Sequence, residues 1–109
     1  MKQVNKVPEL TSLQFLVIEI IGPRKMRGAE LRERLKERRV FKTGPAFYQL
    51  MARLEEAEFV EGWYDQEVVD GQIIKQRLYR VTGLGARAHR GTRNFYIGFG
   101  GKELAYAQK

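Results

Sequence analysis

No cysteine occurs in the 109 residues, which excludes disulfides and thiolate-held metals and fits a reducing compartment. Histidine appears once, at His89, and serine once, at Ser12. A Ser-His-Asp system would have to draw on Ser12, an N-terminal helix residue with no supporting geometry around it. No carboxylates cluster at metal-ligand spacing, and Glu55, Glu56, Glu58 and Glu61 read as solvated surface at a helix end. Long hydrophobic runs are missing as well. The most apolar stretch, residues 13–21, contains Gln14 and Glu19 and is too short to span a bilayer. It has no small-residue cleavage site, so it is not a signal peptide. Gly98-Phe99-Gly100-Gly101-Lys102 echoes a phosphate-binding loop, but Tyr96 and Glu103 stand where that loop needs Gly and Ser or Thr. Gly83-Leu84-Gly85 lacks a third glycine and reads as the flexible start of a helix. No enzyme, metal, cofactor or membrane association is expected, and the residues name no small-molecule effector. The expected location is the cytoplasm.

What is present is charge, and its layout says more than its total of +7. Residues 1–23 balance two basic against two acidic side chains. Residues 24–53 hold ten Lys/Arg against three Glu, and residues 54–71 hold seven acidic residues and no basic one. Residues 72–109 return to eight basic against one acidic. Two basic regions flanking an acidic connection favour a polyanionic partner over an evenly solvated surface.

Periodicity supplies the elements. Leu10, Leu13, Leu16, Val17, Ile20 and Ile21 recur at three- and four-residue spacing, predicting a first helix capped by Thr11 or Ser12 and ended by Gly22-Pro23. Phe15 and Ile18 widen its apolar face, so it must be buried on more than one side. Residues 26–39 read as a second helix with Met26, Ala29, Leu31 and Leu35 inward and its Arg and Lys residues outward. Thr43 is a good N-cap and Pro45 suits the first turn of a third helix reaching Ala57. There Phe47, Leu50, Met51 and Leu54 share an inward face, leaving Tyr48, Gln49, Ala52 and Arg53 outside. Residues 59–64 and 75–82 read as strands around the turn signal Asp70-Gly71. Thr82 then caps a short fourth helix through about His89. Beyond Gly91, residues 94–101 look strand-like or irregular, and residues 103–108 could form a last helical turn.

A helix running straight into a basic hairpin is the winged helix-turn-helix arrangement, an α+β, mainly helical fold of three to four helices with a two-stranded wing. Three segments resemble the PadR-like winged-helix transcriptional regulators. They are Gly22-Pro23 with Arg27-Gly28-Ala29-Glu30-Leu31; the run from Ala46 to Glu55, Ala-Phe-Tyr-Gln-Leu-Met-Ala-Arg-Leu-Glu; and the run from Arg77 to Gly85, Arg-Leu-Tyr-Arg-Val-Thr-Gly-Leu-Gly. Together they cover roughly residues 10–90. The resemblance implies a homodimeric repressor on palindromic duplex DNA, with Tyr48 as a DNA-contacting residue and Lys75 and Arg77 as wing cations. Two features depart from the family pattern. Extra residues and an Arg stand at the junction into helix two, and a short, Gly91-interrupted fourth helix replaces the family's long dimerising one.

The expected organisation is a DNA-binding winged-helix domain over residues 1–90 and a C-terminal tail over 91–109, a candidate dimerisation segment. Arg24, Lys25, Lys42, Arg53, Lys75 and Arg77 would contact phosphates, which position a protein without reading sequence. Tyr48, Gln49 and Thr43 would reach bases or adjacent phosphates, since Gln can pair with adenine in the major groove. A homodimer would bury Leu13, Leu16, Val17, Ile20, Phe95, Tyr96, Ile97 and Phe99. Two alternatives stay open: a winged helix for protein–protein contact, suggested by the apolar wing tip and aromatic tail, and an RNA-binding adaptor using those aromatics for stacking.

Overall fold

The computed structural model describes residues 9–107, with side chains described for residues 9–98. The elements run α1 (Ser12–Ile21), β1 (Lys25–Arg27), α2 (Gly28–Glu37), α3 (Gly44–Glu56), β2 (Val60–Val69), β3 (Gln72–Val81) and α4 (Gly83–Ala107). The strands form one antiparallel sheet in the order β1-β3-β2. This is a winged helix-turn-helix.

Local signals fix most element ends. Thr11 caps α1 in a reciprocal box: its hydroxyl accepts from the Gln14 amide at 3.1 Å, while its own amide donates to Gln14 Oε1 at 3.0 Å. Gly22, at φ +62°, ends the helix. Thr43 caps α3 through the Ala46 amide at 3.3 Å. Helices α2 and α3 both stop in Schellman turns. Val40 N donates to Leu35 O after Arg39 at φ 65°, and Phe59 N donates to Leu54 O after Glu58 at φ 64°. Non-glycine residues thus occupy the left-handed position at both ends. Asp70 and Gly71 both have positive φ, as a two-residue hairpin turn of this hand requires.

The core gathers Val17 and Ile21 of α1, Met26 of β1, Leu31 and Leu35 of α2, Phe47, Met51 and Leu54 of α3, and Tyr79 of β3, all fully buried. Met26 is inward as expected, but in a strand: it pairs with Tyr79, and α2 begins only at Gly28. Ala29, expected inward, is exposed, because Gly28, Leu31 and Leu35 set the buried face of α2 and Ala29 falls off it. Val17 and Ile20 are 0% and 7% exposed within the protomer, so they have no surface left for a partner, which removes them from the expected dimer interface. Leu13 and Leu16 are half-buried against the same core.

The largest departure lies at the C-terminal end. One 25-residue helix, α4, replaces the expected short helix, irregular segment and final turn. Its first half is tied to α1: His89 Nε2 lies 2.9 Å from Glu19 Oε1, and the His89 ring stacks on Phe15 at 4.3 Å. Ala88 and Thr92, one turn apart, are both buried, and that packing carries the helix through Gly91 despite the roughly 1 kcal/mol propensity cost of a mid-helix glycine. Thr82 caps α4, accepting from Gly85 N at 2.9 Å and donating to Glu58 O at 2.6 Å. Gly85 is a close-approach residue here: a Cβ at this position would lie 2.0 Å from Phe59 O. The start of α4 is therefore pressed onto the backbone that leaves α3.

Candidate nucleic-acid interface

Burying Phe47, Met51 and Leu54 forces the opposite face of α3 into solvent. That face presents Tyr48, 49% exposed, with Gln49, Ala52 and Arg53. The Tyr48 ring stands edge-on to Phe47 at 5.2 Å, so a core residue orients an exposed one. At the N-terminal end of α3, Lys42 and Thr43 are exposed. Arg32 of α2 donates to Lys42 O at 3.1 Å and lies over the Phe47 ring at 5.8 Å, tying the turn to both helices.

Cross-strand partners share a sheet face, so the register of β2 and β3 divides the wing. One face carries Gly62 with Tyr79, Tyr64 with Arg77, Gln66 with Lys75, and Val68 with Ile73. The other carries Glu61 with Arg80, Trp63 with Leu78, Asp65 with Gln76, and Glu67 with Ile74. The wing's acids thus sit opposite its two leading cations. Glu61 is held by Arg80 at 2.7 Å. Of the acidic stretch that separates two basic regions in the sequence, Glu61, Asp65 and Glu67 lie on the far side of the hairpin, while Glu55 at the end of α3 pairs with Arg77 on the basic side.

The basic face of the wing meets α3 and the start of α2 across a cleft of about 330 Å³, lined by Arg27, Gly28, Ala29, Tyr48, Tyr64, Lys75, Gln76 and Arg77. No side chain caps the N-terminus of α2, so its free N–H groups add to the positive potential there. Lys75 lies over the Tyr64 ring at 5.4 Å and Arg77 over the same ring at 4.7 Å. Arg77 is the more committed of the two. It donates to Glu55 at 2.8 Å from a half-buried position, packed over Gly62, where an added Cβ would lie 2.9 Å from both partners. Burial pulls the Arg77 guanidinium pKa down, but Glu55, Tyr79 and Tyr64 more than reverse it, leaving a raised value. Burial pushes the Tyr79 hydroxyl up to about 12.

Of the side chains singled out from the sequence, Tyr48, Lys75 and Arg77 meet at this cleft, and Lys42, Thr43, Gln49 and Arg53 are exposed on or beside α3. Lys25 pairs with Arg80 on the sheet face opposite Tyr79, and exposed Arg24 precedes it, so neither joins the cleft. Tyr96 and Ile97 are exposed on α4 and Phe95 is half-buried, while the Phe99 side chain lies outside the described residues. Arg27 and Tyr64 were missed. Counting the hairpin back from Asp70-Gly71 puts Tyr64 opposite Arg77, which was a readable signal; Arg27 depends on β1, which was not. Among the described residues, no helix is long and apolar enough to cross a membrane.

An HTH pair, a two-faced wing and a long closing helix give the chain a winged-helix fold similar to that of the PadR-like regulators, the fold the sequence resemblance implied. Solved structures with this fold include a PadR family transcription regulator from Clostridium difficile, with a TM-score of 0.75 at 16% identity over 89% of this chain and 99% of that one. A PadR family transcriptional regulator from Eggerthella lenta superposes with a TM-score of 0.68 at 22% identity, covering 86% and 81% of the two chains. Bacillus subtilis PadR, solved in complex with operator DNA, gives 0.60 at 13% identity over 74% of this chain and 47% of that one. No family model matches the sequence, and no curated protein matches it.

Proposed function

We propose that the protein is a transcriptional regulator, acting as a repressor, that binds palindromic duplex DNA as a homodimer in the cytoplasm. The observation that carries this reading is the meeting at one cleft of Tyr48, from the exposed Tyr-Gln-Arg face of α3, with the cationic side of the wing. In this arrangement α3 enters a major groove, while Lys75 and the α2 N-terminus take the flanking phosphates. The operator-bound PadR of the same fold supports the comparison. Gln49 would read a base edge, Tyr48 and Thr43 would contact bases or nearby phosphates, and Arg53 and Lys42 would hold the backbone. Arg24 and Lys25 would reach phosphates only where the duplex bends round the domain. Arg77 would act chiefly by fixing Tyr64 and the base of the wing.

Selection of bound duplexes from a random pool, followed by salt titration on duplex and single strand, tests the proposal. Preference for a palindromic duplex with a steep negative salt slope is expected. Tighter binding to single strands would favour an RNA-binding adaptor. Binding to neither would leave a protein-contact module, the reading favoured by the wing tip, where Val68 and Ile73 are 71% and 70% exposed.

A further inference from the structure

Phe41 is 68% exposed, and neither the core nor the cleft uses it. It lies in the turn of the helix-turn-helix, two residues before the cap of the recognition helix. The turn is built to hold a fixed shape. The Schellman stop of α2 sets Val40, which packs half-buried on the core; Arg32 pins Lys42 O at 3.1 Å; and Thr43 caps α3. Phe41 stands between anchored neighbours on both sides. Arg38, Arg39 and Lys42 surround it in the sequence, all exposed. An apolar ring among cations suits a partner that offers negative charge with a small apolar feature, and an apolar protein patch does not fit that description. In duplex DNA that feature is the thymine C5-methyl group, which projects into the major groove beside the phosphates. The N-terminal end of a recognition helix is the end that approaches base edges.

We propose that Phe41 is a specificity-determining residue that packs on a thymine methyl group at the N-terminal end of the recognition helix. This rests on the DNA-binding reading above. Deoxyuridine lacks only that methyl group, so it isolates the contact. The experiment takes a duplex selected by the full chain from a random pool and replaces each thymine in turn with deoxyuridine. Affinity is measured for the parent protein, Phe41→Ala and Phe41→Leu. For the parent, at least one replacement should weaken binding about fourfold, the effect of uncovering one methyl-sized group. Phe41→Ala should bind thymine and deoxyuridine duplexes alike at that position, and Phe41→Leu should recover part of the difference. An Ala variant as sensitive to methyl loss as the parent overturns the contact while leaving DNA binding intact, as does a parent insensitive at every thymine. A full chain that selects no duplex overturns the DNA-binding reading and this contact with it.

Discussion

Gln49, Tyr48 and Arg53 occupy one exposed strip of α3, but their chemistry divides the labour. An amide side chain can pair with a base edge through two hydrogen bonds, whereas a guanidinium beside a groove finds phosphate at any sequence. Gln49→Ala should therefore cost about 1–3 kcal/mol at one base position and relax specificity there, while Arg53→Ala should weaken binding nearly uniformly. Affinities on a panel of single-substitution duplexes check both, and unchanged values for both variants would remove this strip from the interface. Tyr79 makes a different prediction, on stability. Its hydroxyl titrates near 10 in the unfolded chain but only at about 12 when folded. A raised folded value means the native state holds the proton longer, so the contribution is complete below pH 10 and is lost as pH rises towards 12. Unfolding free energy should fall by about 3 kcal/mol across that window, a slope that Tyr79→Phe should flatten. Urea titrations at pH 9 and above measure it.

The wing's two cations differ in what else they hold, and the register makes that difference testable. Lys75 is exposed and lies over the Tyr64 ring. Arg77 is bound to Glu55 in a half-buried pair, and removing one partner leaves the other charge poorly solvated. Lys75→Ala should lower the salt slope by roughly one counterion with little effect on stability. Arg77→Ala should act the other way round, lowering the unfolding midpoint more than the slope. Equal effects on slope would place Arg77 on phosphate. At the start of α4, Gly85→Ala would push a methyl carbon into Phe59 O, held by backbone on both sides. The strain should cost about 1–3 kcal/mol, seen as a lower denaturant midpoint. The residues that cap α1 and α3 and the Asp-Gly turn act through neighbours a few positions away, so their elements were readable from the sequence. Strand β1 was not: Lys25-Met26-Arg27 has no period of its own and exists because Arg80, Tyr79 and Leu78 of β3 pair with it. Helix α4 was misread for the same reason. Its glycines argue locally for a break, while Phe15 and Glu19 on α1 hold His89, just before Gly91, in place.

At the scale of the whole molecule, the long α4 changes what a dimer would use. At 25 residues it is roughly 37 Å long, and its first half packs on α1 of its own protomer. Farther along, Tyr96 and Ile97 are 53% and 56% exposed on consecutive positions. Half-buried Leu13 and Leu16 on α1 add apolar surface on another element. An exposed apolar stretch of this kind favours an interface, and a two-fold pair is the commonest closed assembly. Such a pair would set two copies of α3 about one DNA turn apart, the spacing a palindromic site requires. The full chain should therefore sediment as a dimer at micromolar concentration. A chain ending at Arg90, which keeps Ala88 and His89 but loses Tyr96 and Ile97, should be monomeric and should bind a single half-site with much lower affinity. Because that truncation also removes buried Thr92, the double variant Tyr96→Ser with Ile97→Ser in the full chain is the cleaner arm. It changes only exposed side chains and should dissociate the dimer while leaving the protomer's own unfolding free energy within about 0.5 kcal/mol of the parent's. A double variant that remains dimeric would move the interface to Leu13 and Leu16, and a monomeric parent chain would dispose of the dimer altogether.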